Sequence, residues 1–261
     1  MSSSSGKDRG QRRWLESHRR MAVDIAMAAQ SIPSFPVVRR MRLAEVDDAR
    51  RESPVRIGWT ALFVRAYGQV CSALPELRDL YVRWPTPYVY RHPEPVAGIT
   101  VHRLDEHQTE RLIWGRITAP DQHSPEQVQQ AIERFTTAPI QEVFRDGLKL
   151  ERRPALLRRL TWWTLTQWSG RKRAKHIGTF TISSLGNTGA HNAHHPLVTT
   201  SSLALGPIEN DGSCDVALIC DHRAIDGMLA ARALQQLETT LIQNAKLDRS
   251  ARDANRLQRA G

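Results

Sequence analysis

The sequence is poor in cysteine and lacks any long apolar run. Its 261 residues include three cysteines, Cys71, Cys214 and Cys220. This odd number, without the spacing of metal ligands, predicts buried free thiols rather than a disulfide framework. No apolar stretch approaches the roughly 20 residues that a membrane-spanning helix needs, and the polar N-terminus lacks the apolar core of a signal peptide. A cytoplasmic protein is therefore expected.

Acidic side chains are fewer than basic ones. Lysine and arginine total 37 against 27 aspartate and glutamate residues, which gives a net charge of +10, and nearly all of the basic residues are arginine. A basic balance suits nucleic acids, anionic membranes or phosphate-bearing ligands. The arginines are scattered, without the interleaved aromatic residues of single-strand binders or the spacing of DNA-binding motifs. Nucleic acid is therefore not an expected partner, whereas a phosphate-rich ligand could use a few arginines.

Hydrophobic periodicity predicts one α+β domain. Helical spacing or a helix start is found in the segments 14–29, 58–74 and 124–144, the last with Ser124 as N-cap and Pro125 behind it. Strand-like patterns are found in the segments 35–46, 110–118 and 214–222. No repeat or internal linker divides the chain. We expect a disordered polar tail over residues 1–12, one domain over 13–245 and a polar C-terminal tail over 246–261.

A charged trio follows the strand pattern near the C-terminus. Apolar residues stand at both even and odd positions of 214–220, so this segment is predicted to be a strand that is largely buried on both faces. Asp221, His222 and Arg223 come directly after it, and the spacing beyond Gly227 becomes helical. A titratable group at a strand-to-helix junction is well placed for catalysis. The segment DHRAIDG, 221–227, is therefore the first candidate site.

Three motifs together resemble the catalytic domain of the dihydrolipoamide acyltransferases, the core component of 2-oxoacid dehydrogenase complexes. They are the N-terminal segment 18–50, the strand and turn GTFTISSLGNTG at 178–189, and DHRAIDG. The chain is more distantly similar to chloramphenicol acetyltransferase. The resemblance covers residues 14–242 and implies a mixed sheet with flanking helices and an active site at the subunit interface. It implies an acyltransferase.

The resemblance assigns the two central chemical roles. Acyl transfer needs a base to take the proton of the acceptor and a fixed donor for the tetrahedral oxyanion. His222 is the implied base, since imidazole suits near-neutral pH. Ser183 matches the hydroxyl that stabilises the oxyanion in the family, and Ser184 is the neighbouring alternative.

Supporting roles follow from the same comparison. Asp226 is implied to order the site through Arg19 or Arg20 of the first helix, and a structural salt bridge is its other interpretation. Gly227 is expected to allow a tight turn before the last helix. Asp221 stands where the condensation domains of peptide synthetases have the first histidine of HHxxxDG. The chain is too short for that two-lobed enzyme.

The implied substrates are coenzyme A or acyl-coenzyme A and a thiol, hydroxyl or amine acceptor, with no metal. We expect no lipoyl group on this chain, so a lipoyl substrate would arrive in trans on another protein. The family motif IPHF reads IPSF here, with Ser34, and the family's GLIVPV run has no clear match. We therefore favour a small-molecule or carrier-bound acceptor. The alternative function is a catalytically inactive trimeric scaffold that organises partner enzymes.

The resemblance also implies a homotrimer with three shared active sites. Ser183 and His222 lie on separate predicted strands, as such sharing requires. Larger family assemblies dock their trimers through an apolar C-terminus, whereas the C-terminal segment here is polar and basic. We therefore expect assembly to stop at the trimer.

Two further segments carry residues that often bind ligands. The run AHNAHH contains His191, His194 and His195, and without a carboxylate or cysteine at ligand spacing a solvated loop is favoured over a metal site.

The second is the basic segment 152–176, which contains Trp162, Trp163 and Trp168. A helix packed on the sheet or on a neighbouring subunit is favoured there. Peripheral contact with a membrane or an acyl substrate is the alternative.

Overall fold

A mixed sheet forms the centre of the protein. The computed structural model describes residues 10–104, 108, 110–184, 189, 190 and 192–260. In this part of the chain the strands are β1 Ser34–Arg42, β2 Asp79–Val82, β3 Tyr88–Arg91, β4 Val96–Leu104, β5 Glu110–Thr118, β6 Phe180–Ser184, β7 Ser201–Leu205 and β8 Ser213–Asp221. Six of them form the main sheet in the order β1-β8-β7-β6-β4-β5, and β2 pairs with β3. The β6 strand is parallel to both neighbours, and the other pairs are antiparallel.

Helices cover both faces of this sheet. They are α1 Ser17–Ala29, α2 Ala44–Arg51, α3 Trp59–Ala73, α4 Pro125–Thr137, α5 Ile140–Val143, α6 Arg145–Glu151, α7 Ala155–Trp163, α8 Gly170–His176 and α9 Gly227–Ala260. The larger hydrophobic core lies between the sheet and α3, α4 and α9. Smaller apolar clusters on the other face involve α1 and α7. The predicted α+β architecture, a mixed sheet with flanking helices, is confirmed.

The β8 strand is buried on both faces, as its sequence predicts. Val216 and Leu218 pack in the larger core, while Ala217 and Ile219 belong to a smaller cluster on the opposite face. The three cysteines are buried and free. Burial raises the pKa of the Cys220 thiol to about 12, so this thiol stays protonated and acts as an apolar side chain.

The region after β1 differs from the sequence prediction. The strand pattern was expected to continue to residue 46, but β1 ends at Arg42 and α2 begins at Ala44. Val46 and Ala49, three residues apart, pack in the larger core, which favours a helix. Asp47 accepts hydrogen bonds from Arg50 and Arg51 one turn later, at 2.9 and 2.8 Å.

The last helix continues beyond the predicted domain boundary at residue 245. Helix α9 reaches Ala260, and its final turns contact α2. Arg249 forms an ion pair with Glu52 at 2.8 Å, and Arg252 donates to the carbonyl oxygen of Ala49 at 3.1 Å. The polar segment predicted as a tail is thus helical up to Ala260. Among the described residues, no helix is long and apolar enough to cross a membrane.

Gly98 lies where β4 is most crowded. A Cβ added there would meet the carbonyl oxygen of Ile177 at 2.7 Å and the side chains of Thr181 and Trp114 at 2.9 Å. We expect Gly98→Ala to lower the free energy of unfolding by about 1–3 kcal/mol, because the backbone oxygen cannot move without disturbing β6. Denaturant unfolding measures this change.

The matched control is Gly147→Ala. A Cβ at this position in α6 would meet no atom within 4 Å. We expect it to leave stability unchanged or to raise it by up to about 1 kcal/mol, because alanine favours a helix. Equal effects of the two substitutions would contradict the crowding at Gly98.

Candidate active site

The end of β8 is fixed by a buried carboxylate. Asp221 is 1% exposed, and its backbone N–H donates to the carbonyl oxygen of Thr200 at 2.9 Å. Its two carboxylate oxygens accept hydrogen bonds from Nε and Nη2 of Arg223 at 2.8 and 2.7 Å. Arg223 also stacks over the ring of Tyr81, 4.5 Å from its centroid. This bidentate pair holds the DHR turn in one conformation.

A second arginine approaches Asp221 from α8. Arg173 is fully buried, and its Nη2 lies 3.9 Å from Oδ2 of Asp221. Its guanidinium donates to the carbonyl oxygens of Val198, Thr199 and Tyr81. Burial lowers the pKa of Arg173 to about 10, and the Asp221 carboxylate opposes this shift. Arg173 is therefore charged at neutral pH, with Asp221 as the nearby anion.

The side chain of His222 lies at the surface of the chain. The residue is exposed, its backbone N–H donates to Pro33 O at 2.9 Å, and its ring lies 4.7 Å from the ring of Phe35. Its Nδ1 lies 3.3 Å from the carbonyl oxygen of Ile225. A carbonyl can only accept, so this contact places the hydrogen of a neutral imidazole on Nδ1. Nε2 then keeps its lone pair, and an imidazole in this tautomer can act as a general base through Nε2.

Asp226 caps the last helix. Its Oδ1 accepts a hydrogen bond from the backbone N–H of Leu229 at 2.8 Å, the geometry of an N-cap. Within the described residues of one chain, neither Arg19 nor Arg20 pairs with Asp226, and both arginines are exposed. Helix α1 packs against β5 and α7, at the side of the sheet opposite β8. The connection implied by the resemblance is thus not made within one chain.

Gly227 differs from its predicted role. It is the first residue of α9, its φ is not in the left-handed region, and an added Cβ would meet no atom within 4 Å. The turn therefore does not need glycine for conformational reasons. The space beside Gly227 is open in the single chain.

Ser183 lies near the end of β6 with a half-buried side chain. Within the described part of the chain, its hydroxyl has no hydrogen-bond partner. The preceding Ile182 packs in the larger core, so alternation turns Ser183 to the opposite face. Ser184 is exposed and has an interaction partner of its own. Residues 185–188 of the predicted glycine-rich turn, and His191, lie outside the described residues.

The sheet register separates Ser183 from His222. Ser183 is aligned with Ala204 on β7, which is aligned with Ala217 on β8. Asp221 is four residues further along β8 than Ala217, a distance of about 13 Å along the strand. Two strand spacings separate β6 from β8, which adds about 9.5 Å across the sheet. The two candidate residues therefore cannot act on the same atom within one chain.

A buried polar cluster lies on the same face of the sheet as Ser183. Nε2 of His195 contacts Oγ of Ser202 at 2.8 Å, and Oγ1 of Thr181 donates to the same hydroxyl at 2.6 Å. Burial lowers the pKa of His195, and its Nδ1 is buried without a partner among the described residues. His195 thus does not lie on a solvated loop as predicted, because it packs on β7. His194 is exposed and contacts Oγ of Ser34 at 3.1 Å.

The tryptophan segment is not one continuous α-helix. Helix α7 passes into a π-helical turn at Thr164–Trp168 before α8 begins. Trp162 is 7% exposed and packs with Ala29, whereas Trp163 and Trp168 are 40% and 50% exposed. Only Trp162 therefore meets the prediction of packing within the chain. Contact of Trp163 and Trp168 with another surface stays a prediction.

Sequence reasoning placed Arg223 in the DHR segment but missed its ion pair with Asp221, and it missed Arg173 altogether. The position of Arg223 two residues after Asp221 is a signal that could have identified the pair. Arg173 stands in the basic run 171–175, which is typical of a solvated face. Its burial depends on tertiary contacts that local composition does not contain. Among the described residues, no group of three or more histidine, cysteine, aspartate or glutamate side chains could hold a metal ion.

The fold is that of dihydrolipoamide acetyltransferase catalytic cores. It is similar to the probable dihydrolipoamide acetyltransferase of Listeria monocytogenes 4b F2365, with a TM-score of 0.63, 17% identity and coverage of 90% of this chain and 95% of that one. The predicted resemblance is confirmed for the fold. No family model and no curated protein matches the chain.

Two further solved structures have the same fold. The dihydrolipoamide acetyltransferase of Azotobacter vinelandii has a TM-score of 0.62 and 18% identity, over 93% of this chain and 96% of that chain. A truncated catalytic core of the 2-oxoacid dehydrogenase multienzyme complex from Thermoplasma acidophilum has a TM-score of 0.58 and 19% identity, over 89% and 98% of the chains.

The buried carboxylate at Asp221 leads to a stability test. We expect Asp221→Asn to lower the free energy of unfolding by about 3–5 kcal/mol, because Arg173 is then left charged and buried without an anion. Chemical denaturation at neutral pH measures the loss.

Asp215→Asn on the same strand is the control. Asp215 is half-exposed and lies 3.7 Å from the exposed Arg40, so its removal should change stability by no more than about 1 kcal/mol. A loss at Asp221 as small as that at Asp215 would show that Arg173 does not depend on this carboxylate.

Proposed function

We propose that the protein transfers an acyl group from a coenzyme A thioester to a thiol, hydroxyl or amine acceptor. The observation that carries this proposal is His222, whose Nδ1 contacts the carbonyl oxygen of Ile225 while its Nε2 is left available at the surface. That arrangement orients a base and leaves its Nε2 without a partner among the described residues. An inactive scaffold of the same fold would not need it.

The chemistry follows from two side chains. Nε2 of His222 takes the proton of the acceptor as the acceptor attacks the thioester carbonyl. The tetrahedral oxyanion accepts a hydrogen bond from the hydroxyl of Ser183, which has no competing partner among the described residues. When the intermediate collapses, the carbon–sulfur bond breaks and the coenzyme A thiolate receives the proton from His222.

A structure with the same fold supports this assignment of roles. In the Azotobacter vinelandii enzyme, a serine, a histidine and an asparagine have been studied for their role in the catalytic mechanism, and the last two are four residues apart. His222 and Asp226 have the same spacing. Asp226 caps α9 through Leu229, so it would act by positioning the loop between His222 and the helix.

The site needs two chains. Because the register separates Ser183 from His222 within one chain, the pair can meet only if His222 of one subunit faces Ser183 of another. A ring of three chains closes this heterologous contact and gives three equivalent sites. The homotrimer implied by the sequence resemblance has this form. Arg19 and Arg20, exposed on α1, are then available to a neighbouring subunit.

Two kinds of acceptor fit this chemistry. A dihydrolipoyl group carried in trans by another protein and a small molecule both present a nucleophile that His222 could deprotonate. Ser34, at the position of the family histidine, contacts His194, so the surroundings of the site differ from the family motif. We therefore favour a small-molecule or carrier-bound acceptor.

His222→Ala tests the catalytic role. We expect turnover to fall by about 10²–10⁴-fold, because the acceptor loses its general base. The thermal midpoint should stay nearly unchanged, since the exposed imidazole contributes little packing. The measurement is coenzyme A release and acylated product by mass spectrometry, with several acyl-coenzyme A donors offered to dihydrolipoamide, alcohols and amines.

His123→Ala is the matched control for this variant. The ring nitrogen Nδ1 of His123 also contacts a backbone carbonyl oxygen, that of Ala119 at 3.1 Å. His123 follows β5 at the edge of the sheet, away from both Ser183 and the DHR turn, so its removal should leave turnover unchanged. Full activity of His222→Ala would refute the catalytic role. A wild-type protein that acylates none of the acceptors would favour the scaffold.

A further inference from the structure

A cavity of about 750 Å³ opens between α1, β5 and the helices α5 to α8. Its volume is in the range of about 300–1,000 Å³ that is usual for small-molecule sites. Neither Ser183 nor His222 lines it. The cavity is therefore separate from the proposed catalytic residues, and its function does not depend on theirs.

The interior of this cavity is apolar. Met21 and Ile25 line it from α1, Trp114 from β5, Leu150 from α6 and Leu165 from the π-helical turn. These side chains are only partly buried around the Trp162 cluster. An apolar ligand would remove more of their surface from water, which favours binding.

Trp162 forms part of the cavity wall. The side chain is 7% exposed and lines the cavity. Its indole Nε1 is itself buried from solvent, so a ligand in the cavity would contact the side chain through other atoms than Nε1. The neighbouring Trp114 uses its Nε1 hydrogen within the fold, donating it to Ile177 O at 2.8 Å. Both indoles thus add apolar surface to the wall and no free donor.

The charged lining of the cavity is mainly basic. Its basic residues are Arg111, Arg116, Arg145, Lys149, Arg153 and Lys172. Its acidic residues are Glu142, Asp146 and Glu151. Glu151 pairs with Arg111 at 2.8 Å, and Glu142 pairs with Arg134 outside the cavity at 2.7 Å. Lys149 and Lys172 are exposed at the rim. The excess of positive charge favours an anion.

His176 reports the same positive field. It lines the cavity, and its pKa is lowered by burial and then by the nearby charges of Arg116, Lys175 and Lys172, while Asp146 opposes the shift. Neighbouring cations disfavour a second positive charge and equally favour a negative one.

We propose that this cavity binds a medium-chain carboxylate. The alkyl chain lies against Met21, Ile25 and Leu165, and the carboxylate lies at the rim, where Lys149 and Lys172 compensate its negative charge. The ligand class follows from two features together: an apolar interior and a basic rim.

Calorimetric titration of the full chain with decanoate tests this proposal. We expect saturable binding of one decanoate per chain. The double variant Lys149→Gln/Lys172→Gln should bind about five- to tenfold more weakly, because two partly screened attractions are lost. The control Arg56→Gln/Lys246→Gln removes the same amount of charge from exposed residues outside the lining, whose neighbours Ile57 and Ala245 pack in the core on the other face of the sheet. Its affinity should stay within about twofold of the wild type.

Met21→Gln gives a second, independent readout. Met21 is only partly buried at the cavity. Glutamine keeps a side chain of similar length but removes an apolar contact with the alkyl chain, so we expect about a five- to tenfold loss of decanoate affinity. The lysine variants keep the proposal testable if this substitution disturbs folding. Decyltrimethylammonium binding as tightly as decanoate, or decanoate affinity unchanged in the lysine double variant, would overturn the proposal.

Discussion

The buried carboxylate of Asp221 fixes the end of the central strand and with it the candidate site. It lies between Arg223, which it binds through both oxygens, and the fully buried Arg173. Arg173 in turn donates to the carbonyl oxygens of Val198 and Thr199, just before β7, and of Tyr81 in β2. The Asp221–Arg173 pair thus connects α8, β8, β2 and the segment before β7. Because the charges are buried, this arrangement has little freedom, and His222 follows it directly in the chain.

The sheet topology then decides what a single chain can do. The β6 and β7 strands run in parallel and β8 runs back between β7 and β1, so Ser183 and His222 lie toward opposite ends of the sheet. A base and an oxyanion donor at this separation cannot serve one carbonyl carbon. In the account proposed here, assembly is therefore part of catalysis, since the neighbouring subunit brings the second group.

Local sequence predicted the elements whose pattern is complete within one segment. The alternation in β5, the burial of β8 on both faces, the apolar helix α3 and the Ser124 cap of α4 all appear in the structure. What it could not predict depends on distant contacts. The burial of Arg173 and the register that separates Ser183 from His222 both arise from pairing between segments far apart in the chain.

Mixed assemblies test the central claim, that one active site contains residues from two subunits. Chains carrying Ser183→Ala and chains carrying His222→Ala should each be inactive alone. When the two are co-expressed, random mixing in a closed ring restores both intact residues at about one quarter of the sites, so about a quarter of wild-type turnover should return. Mixed oligomers, demonstrated by two different tags, that remain inactive would contradict the shared site.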